Sequence, residues 1–343
     1  MSTQATIPQE PPGPDLLIDL LLGNVLDPLL KLPILQAGVE LQVWAKIAEG
    51  HQTANMIATA VGADLGGMRR LLDALTVMKL LLKESAVYHL PDWAEYYLLP
   101  GKPTYFGDFV LEWLAWERHG QLSDAIRTGK HPITPDITGE ELVGHFIPFY
   151  AHRVLAPYRS IRRYEGYWEA LEVNPRDGLQ VLDLACGAGI ATLALAMQHP
   201  GIRVVHQDWP AMLEIALKVA QKLGVEQQIR MLPGDMCSVD FGKDKYDIAR
   251  LGFVTYFYGP EDLVRLFQRV HSSLVMGGIL VIEIPLCDEN HCTNEDAVLD
   301  GPWLFAVSAR GDVYSFSDYR GFLEQAGFEC VSQVKDELIK AVR

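Results

Sequence analysis

Three aspartates, Asp183, Asp208 and Asp235, each stand at or just past the end of a short run that reads as a strand, and two glycines, Gly187 and Gly189, follow the first of them. In "VLDLACGAGIATLAL" (181–195), Val181 to Leu184 reads as a buried strand, and Ile190 onward has helical periodicity with small residues close to its start. Glycines at that junction let a backbone approach a ligand closely, and free amides in the first turn of a helix can donate to it. Alone, the pair is equally compatible with a buried turn whose glycines only relieve sterics.

Two ligands suit such a junction, a dinucleotide and S-adenosylmethionine. A dinucleotide fingerprint needs a third glycine three residues after the second, where Thr192 stands, and Ala185 precedes the pair. A carboxylate at Asp183 repels a pyrophosphate and suits the ammonium of a methionine moiety, directly or through water. "RVVHQDWP" (203–210) reads as a second strand ending at Asp208, which can accept both ribose hydroxyl protons. "IRMLPGDM" (229–236) reads as a third, where Asp235 can take an exocyclic amine of adenine and Met236 can pack on its ring. "YDIARLGFV" (246–254) supplies a fourth strand, and "MGGILVIEIPL" (276–286) a fifth after a Gly-Gly turn. The elements that position the aspartates thus alternate strand and helix, an α/β doubly wound sheet.

These motifs resemble those of class I S-adenosylmethionine-dependent methyltransferases. More narrowly, the chain is similar to the small-molecule O-methyltransferases that carry an N-terminal winged-helix dimerisation domain. Asp183-Leu184-Ala185-Cys186-Gly187-Ala188-Gly189 matches "D-x-G-x-G-x-G", with Ala185 in place of the first glycine. Asp208-Trp209-Pro210 matches "D-L-P", Gly234-Asp235-Met236 matches "G-D-M", and "FLEQAGF" (322–328) matches "L-x-x-A-G-F". The resemblance covers residues 15 to 343. It implies a Rossmann-like cofactor domain over 171–343, a mainly helical winged-helix domain over 15–100, and a helical linker and acceptor-pocket segment over 101–170. Asp183, Ala185, Gly187, Gly189, Asp208, Trp209, Asp235 and Met236 become the residues expected to hold S-adenosylmethionine.

The resemblance breaks where the base should be. The family carries a histidine after the fourth strand, in "L-K-x-x-x-H-D-W", and two carboxylates beside it. Here Leu251 to Tyr258 reads "LGFVTYFY", so Tyr256 stands at the base position and Gly252 at the lysine. Glu283 matches the first carboxylate, while Val313 replaces the second. Tyr256 and Glu283 are therefore the candidate catalytic residues, although a tyrosine with a reference pKa of about 10 is a poor base at neutral pH. Three explanations stay open. The acceptor is a carbon or an already acidic oxygen, as in the bacteriochlorophyllide C-methyltransferase that the chain also resembles; or His152, His291 or a water serves as base; or the protein binds the cofactor without transferring a methyl, as hydroxylase- and pericyclase-like relatives do.

Acceptor contacts are expected from the aromatic-rich segment Phe106 to Trp168 and from "DGPWLFAVSARG" (300–311). Trp113, Trp116, Phe149, Tyr150, His152, Trp303 and Phe305 are the candidates, with Tyr150 where relatives often carry a methionine. Aromatics at helical spacing also serve as core. "LCDENHC" (286–292) clusters Cys287, Asp288, His291 and Cys292, but ligands crowded on one loop without a second cluster read as a polar loop, and no metal is expected.

Bulk properties narrow the partners. A net charge of −15 disfavours nucleic acid and anionic membrane surfaces. The winged-helix segment suggests a DNA-binding regulator as a remote rival. Yet over 41–90 Lys46, Arg69, Arg70, Lys79 and Lys83 are set against Glu49, Asp64, Asp73 and Glu84, far from a phosphate-binding stripe. Cysteines at 186, 237, 287, 292 and 330 lack paired spacing, which suits a reducing cytoplasm, and no signal peptide is expected. Residues 1 to 14 read as a disordered lead-in. "LLIDLLLGNVLDPLLKLPIL" (16–35) holds Asp19, Asp27 and Lys31 and two prolines, and reads as dimer-forming or core helices rather than a membrane span. The resemblance implies a homodimer, and the expected acceptor is a planar small molecule of secondary or pigment metabolism.

Overall fold

The computed structural model describes residues 27–113, 120–129, 139–307 and 310–343. The lead-in expected over 1–14 lies outside the described residues, as does Trp116. The chain divides into two units, 1–114 and 115–343, so residues 101–114 of the expected linker cluster with the first and the remainder with the second.

In the first unit, helices α1 (Asp27–Glu40), α2 (Val43–Ala48), α3 (Ala54–Val61) and α4 (Leu65–Val77) precede a hairpin, β1 (Leu82–Glu84) and β2 (Val87–His89). Local chemistry sets the bounds. Thr53 caps α3 by accepting from the Met56 amide, Gly62 ends it in the left-handed region, and Asp64 caps α4 by accepting from the Gly67 amide at 2.6 Å. Trp44, Ile57, Leu72, Leu75, Leu81 and Tyr88 fill the core beneath. Asp73 accepts from Tyr88 at 2.8 Å and pairs with both Arg69 and Lys83, so two of the basic residues are matched within the unit.

The second unit is a seven-stranded sheet in the order β5-β4-β3-β6-β7-β9-β8. Its strands are β3 (Gln180–Leu184), β4 (Arg203–Asp208), β5 (Ile229–Pro233), β6 (Tyr246–Gly252), β7 (Leu274–Glu283), β8 (Glu329–Lys335) and β9 (Leu338–Val342). The pairs from β5 across to β7 are parallel, whereas β9 is antiparallel to β7 and β8. Helices α5 (Glu140–Leu155), α6 (Ile190–Ala196), α7 (Pro210–Leu223), α8 (Pro260–Ser273), α9 (Glu295–Val307) and α10 (Phe316–Gln325) complete the elements used below. One expectation needs correcting: β7 begins at Leu274, ahead of Gly277-Gly278. Those glycines fall within the strand, at a register irregularity between β6 and β7, rather than in a turn before it. Their backbone pairs with Arg343 instead, the Gly277 amide donating to its carbonyl at 2.9 Å.

Alternation along the strands sorts the side chains. Leu182, Leu184, Leu251 and Ile282 join one apolar layer with Leu263, Phe267 and Leu323, while Val181, Ile248 and Val281 join the other with Trp168, Leu193 and Val219. Asp183, Arg250 and Glu283 therefore project from the same face of three adjacent strands. The chain runs outward from β3 through β4 to β5, then returns to place β6 on the other side of β3. That reversal opens a crevice at the carboxyl ends of β3 and β6, where doubly wound sheets bind ligands.

Candidate active site

At the end of β3 the backbone turns through Ala185 (φ 48°), Gly187 (φ 56°) and Gly189 (φ 69°) before entering α6. A Cβ on Gly187 would lie 2.6 Å from the ring of Tyr150, and one on Gly189 would strike the buried imidazole of His206. Glycine is needed at both for space as well as conformation. Ala185 adopts the left-handed region without that excuse. Ala185→Gly should therefore stabilise the protein by about 1 kcal/mol, the left-handed penalty less glycine's entropy, and raise its Tm by about 2–4 °C. An unchanged or lower Tm in a thermal melt would contradict this.

The amides expected to await a ligand are mostly engaged. Gly187 donates to the Asp208 carboxylate at 2.9 Å, Cys186 to the Gln207 carbonyl at 3.1 Å, and Gly189 to the Cys186 carbonyl at 2.9 Å. Asp208 accepts a second amide, from Trp209, at 2.8 Å. Burial outweighs these donors and pushes the Asp208 carboxyl up to about 6.

Beside this corner lies a cavity of about 350 Å³, within the range of small-molecule sites. Ala185, Cys186, Gly187 and Asp208 form one wall. Phe146, Phe149, Tyr150 and Arg153 of α5, Arg163 and Tyr164, and Arg250, Gly252, Phe253, Tyr256 and Phe257 stand among the other lining residues. A second cavity of about 240 Å³ shares Phe257 and is lined by Gly139, Asp235, Cys237, Tyr258, Asp262 and Arg310.

The structure thus brings Ala185, Gly187, Asp208, Phe149, Tyr150 and Tyr256 together in the first cavity and puts Asp235 in the second. Other expected residues stand elsewhere. Asp183 is fully buried and engaged: it accepts from Thr192 Oγ1 at 2.7 Å and from Arg250 Nη1 at 3.2 Å. Met236 packs into the apolar layer with Leu263 and Phe267 rather than against a cavity. Trp209 approaches Gly139, whose Cβ would lie 3.6 Å from the indole. His152 bonds the Phe149 carbonyl through Nδ1, and Phe305 is half-buried on α9; neither lines the two cavities. The Trp113 and Trp303 side chains lie outside the described residues. His291 is exposed, 3.4 Å from the Cys287 thiol, on a loop pinned by Asp288 accepting the amides of Asn290, Cys292 and Thr293. Among the described residues no group of three or more His, Cys, Asp or Glu is placed to hold a metal.

Glu283 does not face the cavity as a free carboxylate. It pairs with Arg250 Nη2, while Arg250 Nε donates to the Tyr167 hydroxyl at 3.4 Å and its guanidinium lies 5.8 Å from the centre of the Tyr164 ring. Burial opposes the Arg250 charge, but Tyr167, Asp183, Tyr164 and Glu283 together hold it firmly protonated. Sequence reasoning missed this residue. An arginine flanked by Ile248, Ala249 and Leu251 in the strand "YDIARLG", on the same face as two carboxylates of the neighbouring strands, was the available signal.

Burial, with Tyr150 and Asp300 nearby, raises the Tyr256 phenol well above its ordinary value. Burial likewise takes Tyr150 up to about 12. His206, behind the glycine corner, is pushed down to about 4 by burial; its Nε2 lies 3.0 Å from Thr192 Oγ1, and its Nδ1 has no hydrogen-bond partner among the described residues.

Residues 181–278 match the methyltransferase domain family, and residues 25–100 match the O-methyltransferase dimerisation domain. The chain is 23% identical over 320 residues to the S-adenosyl-L-methionine-dependent methyl transferase PigF of a Serratia species, covering 84% of this chain and 85% of that one. It is 26% identical over 345 residues to the 3-hydroxy-5-methyl-1-naphthoate 3-O-methyltransferase of Streptomyces sahachiroi, covering 94% and 91%. Its fold matches that of PigF with S-adenosylhomocysteine at a TM-score of 0.72, over 97% of this chain and 100% of that one at 18% identity. The fold also matches human N-acetylserotonin methyltransferase in complex with S-adenosylmethionine, at a TM-score of 0.64 over 98% and 99% at 21% identity.

Proposed function

The chain belongs to the S-adenosylmethionine-dependent methyltransferases that carry an O-methyltransferase dimerisation domain, and from that premise we propose that it methylates a planar, largely apolar small molecule whose nucleophile arrives already deprotonated. The observation that carries this reading is the lack of a proton acceptor along the cavity among the described residues. No histidine lines it, Tyr256 is held protonated, Glu283 is paired with Arg250, and Asp208 is the carboxylate assigned to the cofactor's ribose. A carbon nucleophile activated by its own conjugation, or an oxygen acidic enough to ionise in water, needs no such acceptor. Relatives named for a hydroxynaphthoate, for mitomycin and for acetylserotonin support an aromatic or polycyclic acceptor.

The residues present fit the cofactor. Asp208 retains oxygen lone pairs for two ribose hydroxyls, the Ala185 to Ala188 turn gives a wall that side chains would fill, and Asp235 lies in the adjoining cavity where it can take the adenine amine. S-adenosylmethionine supplies a methyl group on a positively charged sulfur. The chain's share is to hold and orient. Phe146, Phe149, Phe253 and Tyr256 clasp the flat face of the acceptor, and such positioning is worth several kcal/mol of barrier. Aromatic walls also exclude the water that would otherwise compete. The dimerisation match supports a homodimer. Among the described residues no helix is long and apolar enough to cross a membrane, and with all five cysteines free a cytosolic enzyme is the reading we adopt.

Tyr256→Phe tests the mechanism. A positioning ring should keep kcat within about tenfold of wild type with an unchanged pH profile, because no proton transfer is lost. A fall of about 10²- to 10⁴-fold in kcat, at unchanged acceptor binding, would restore Tyr256 as an obligatory acid or base. Transfer of label from isotopically labelled S-adenosylmethionine to a panel of hydroxyarenes and indoles tests the reading as a whole.

A further inference from the structure

The charges lining the cavity do not close with the cofactor alone. Arg250 is matched by Asp183 and Glu283, a cluster carrying one net negative charge. Two further guanidiniums, Arg153 and Arg163, face the same space. Arg153 is half-buried and donates to Ser160 Oγ at 3.2 Å; Arg163 is exposed and lies 5.7 Å from the centre of the Phe253 ring. Among the described residues neither has a carboxylate within 4.0 Å. Burial and the neighbouring Arg163 charge both weigh against the Arg153 cation.

S-adenosylmethionine carries a sulfonium, an ammonium and one carboxylate. Asp208 and the net charge of the Asp183–Arg250–Glu283 cluster offset its two positive centres, and its carboxylate can answer one guanidinium. The other is left without a carboxylate at the edge of a cavity whose remaining walls are mostly aromatic; Arg163, exposed there, holds only water that an acidic group of a ligand can displace. Position distinguishes the two. Arg153 stands one helical turn from Tyr150, which covers Gly187 on the cofactor side, whereas Arg163 overlies Phe253 at the start of the loop that carries Tyr256.

We propose that the acceptor is an aromatic acid: a planar molecule bearing one carboxylate or comparably acidic oxygen group, recognised by Arg163, with Arg153 answering the cofactor's own carboxylate. This rests on the small-aromatic-acceptor reading above and adds the charge. A guanidinium fork suits a carboxylate because two parallel donors match its two oxygens, which an amide of the same shape cannot reproduce.

The test uses the full chain saturated with S-adenosylhomocysteine. Calorimetric titrations compare 3-hydroxy-1-naphthoate with 3-hydroxy-1-naphthamide, and 2-hydroxybenzoate with 2-hydroxybenzamide. At least one acid should bind about tenfold or more tightly than its amide, as expected for a charge-assisted pair. Arg163→Gln should shrink that preference to about twofold, and Arg163→Lys should keep part of it. Affinity for S-adenosylhomocysteine should stay within about twofold in both variants. Acid and amide binding equally in wild type would overturn the charge inference while leaving the aromatic acceptor standing; neither binding, with S-adenosylhomocysteine still held, would remove both. Arg163→Gln that weakens S-adenosylhomocysteine and leaves the acid preference intact would overturn the assignment, because the guanidinium would then serve the cofactor.

Discussion

Arg250→Met should destabilise the protein by about 3–5 kcal/mol, the scale for stripping one partner from a buried ion pair. Asp183 is fully buried and Glu283 is 7% exposed, so both carboxylates would lose their cation with almost no water to replace it. Methionine keeps the volume of the stem, which separates the charge effect from a cavity effect. Urea unfolding followed by tryptophan fluorescence measures the change, and Arg250→Met combined with Glu283→Gln should recover a substantial part of it. A loss under about 1 kcal/mol for the single variant would mean that water reaches the cluster, and the account of a sealed triad would fall.

Asp208→Asn should weaken S-adenosylhomocysteine binding by about 10- to 100-fold, corresponding to a hydrogen-bonded charge lost. Acidification should act on the wild type in the same direction. Burial sets the Asp208 carboxyl at about 6 in the free protein. The hydroxyls of a ribose need the ionised form as acceptor, so the affinity is full above that value. As the pH falls below about 6, the carboxylate protonates and the affinity declines by up to tenfold per unit. The amide of Asp208→Asn does not titrate, so its weaker affinity should stay flat over the same range. Titrations from pH 5 to pH 8 with both proteins decide the matter; a wild-type affinity independent of pH would show that Asp208 is not the ribose acceptor.

The sequence disclosed the frame well, because the strand-end signals are local. A short β-branched run stopped by Asp208-Trp209-Pro210 reads as a strand meeting a helix whose first residue is proline, and the structure places β4 and α7 there. Gly187 and Gly189 were legible for the same reason, since a positive φ is demanded by the turn itself. What stayed hidden depends on pairings distant in sequence. Nothing near Asp183 says that its carboxylate will be taken by Thr192 and Arg250, the latter 67 residues away. The Met236 thioether looked like a ring contact by motif, yet the neighbouring layer of Leu263 and Phe267 draws it inward. Arg163 escaped for a different reason: it sits on a short helical turn where a charged residue ordinarily faces solvent, and only the fold shows that it shares a cavity with Arg153.

The Asp183–Arg250 contact also bears on how the chain finds its native pairing. The two residues are direct partners across β3 and β6. Before β6 docks, β3 has one open edge, a liability for any sheet, and an inward-pointing carboxylate on that edge discourages association with apolar strands of other molecules. Only a strand that brings a cation to the same face relieves it. Since side chains alternate, a slip of one residue would carry Arg250 into the opposite apolar layer and leave Asp183 and Glu283 facing one another with no cation between them. The ion pair therefore acts as a key for register, admitting β6 in one alignment and penalising its neighbours, so the crevice at the strand ends forms with its two walls already level.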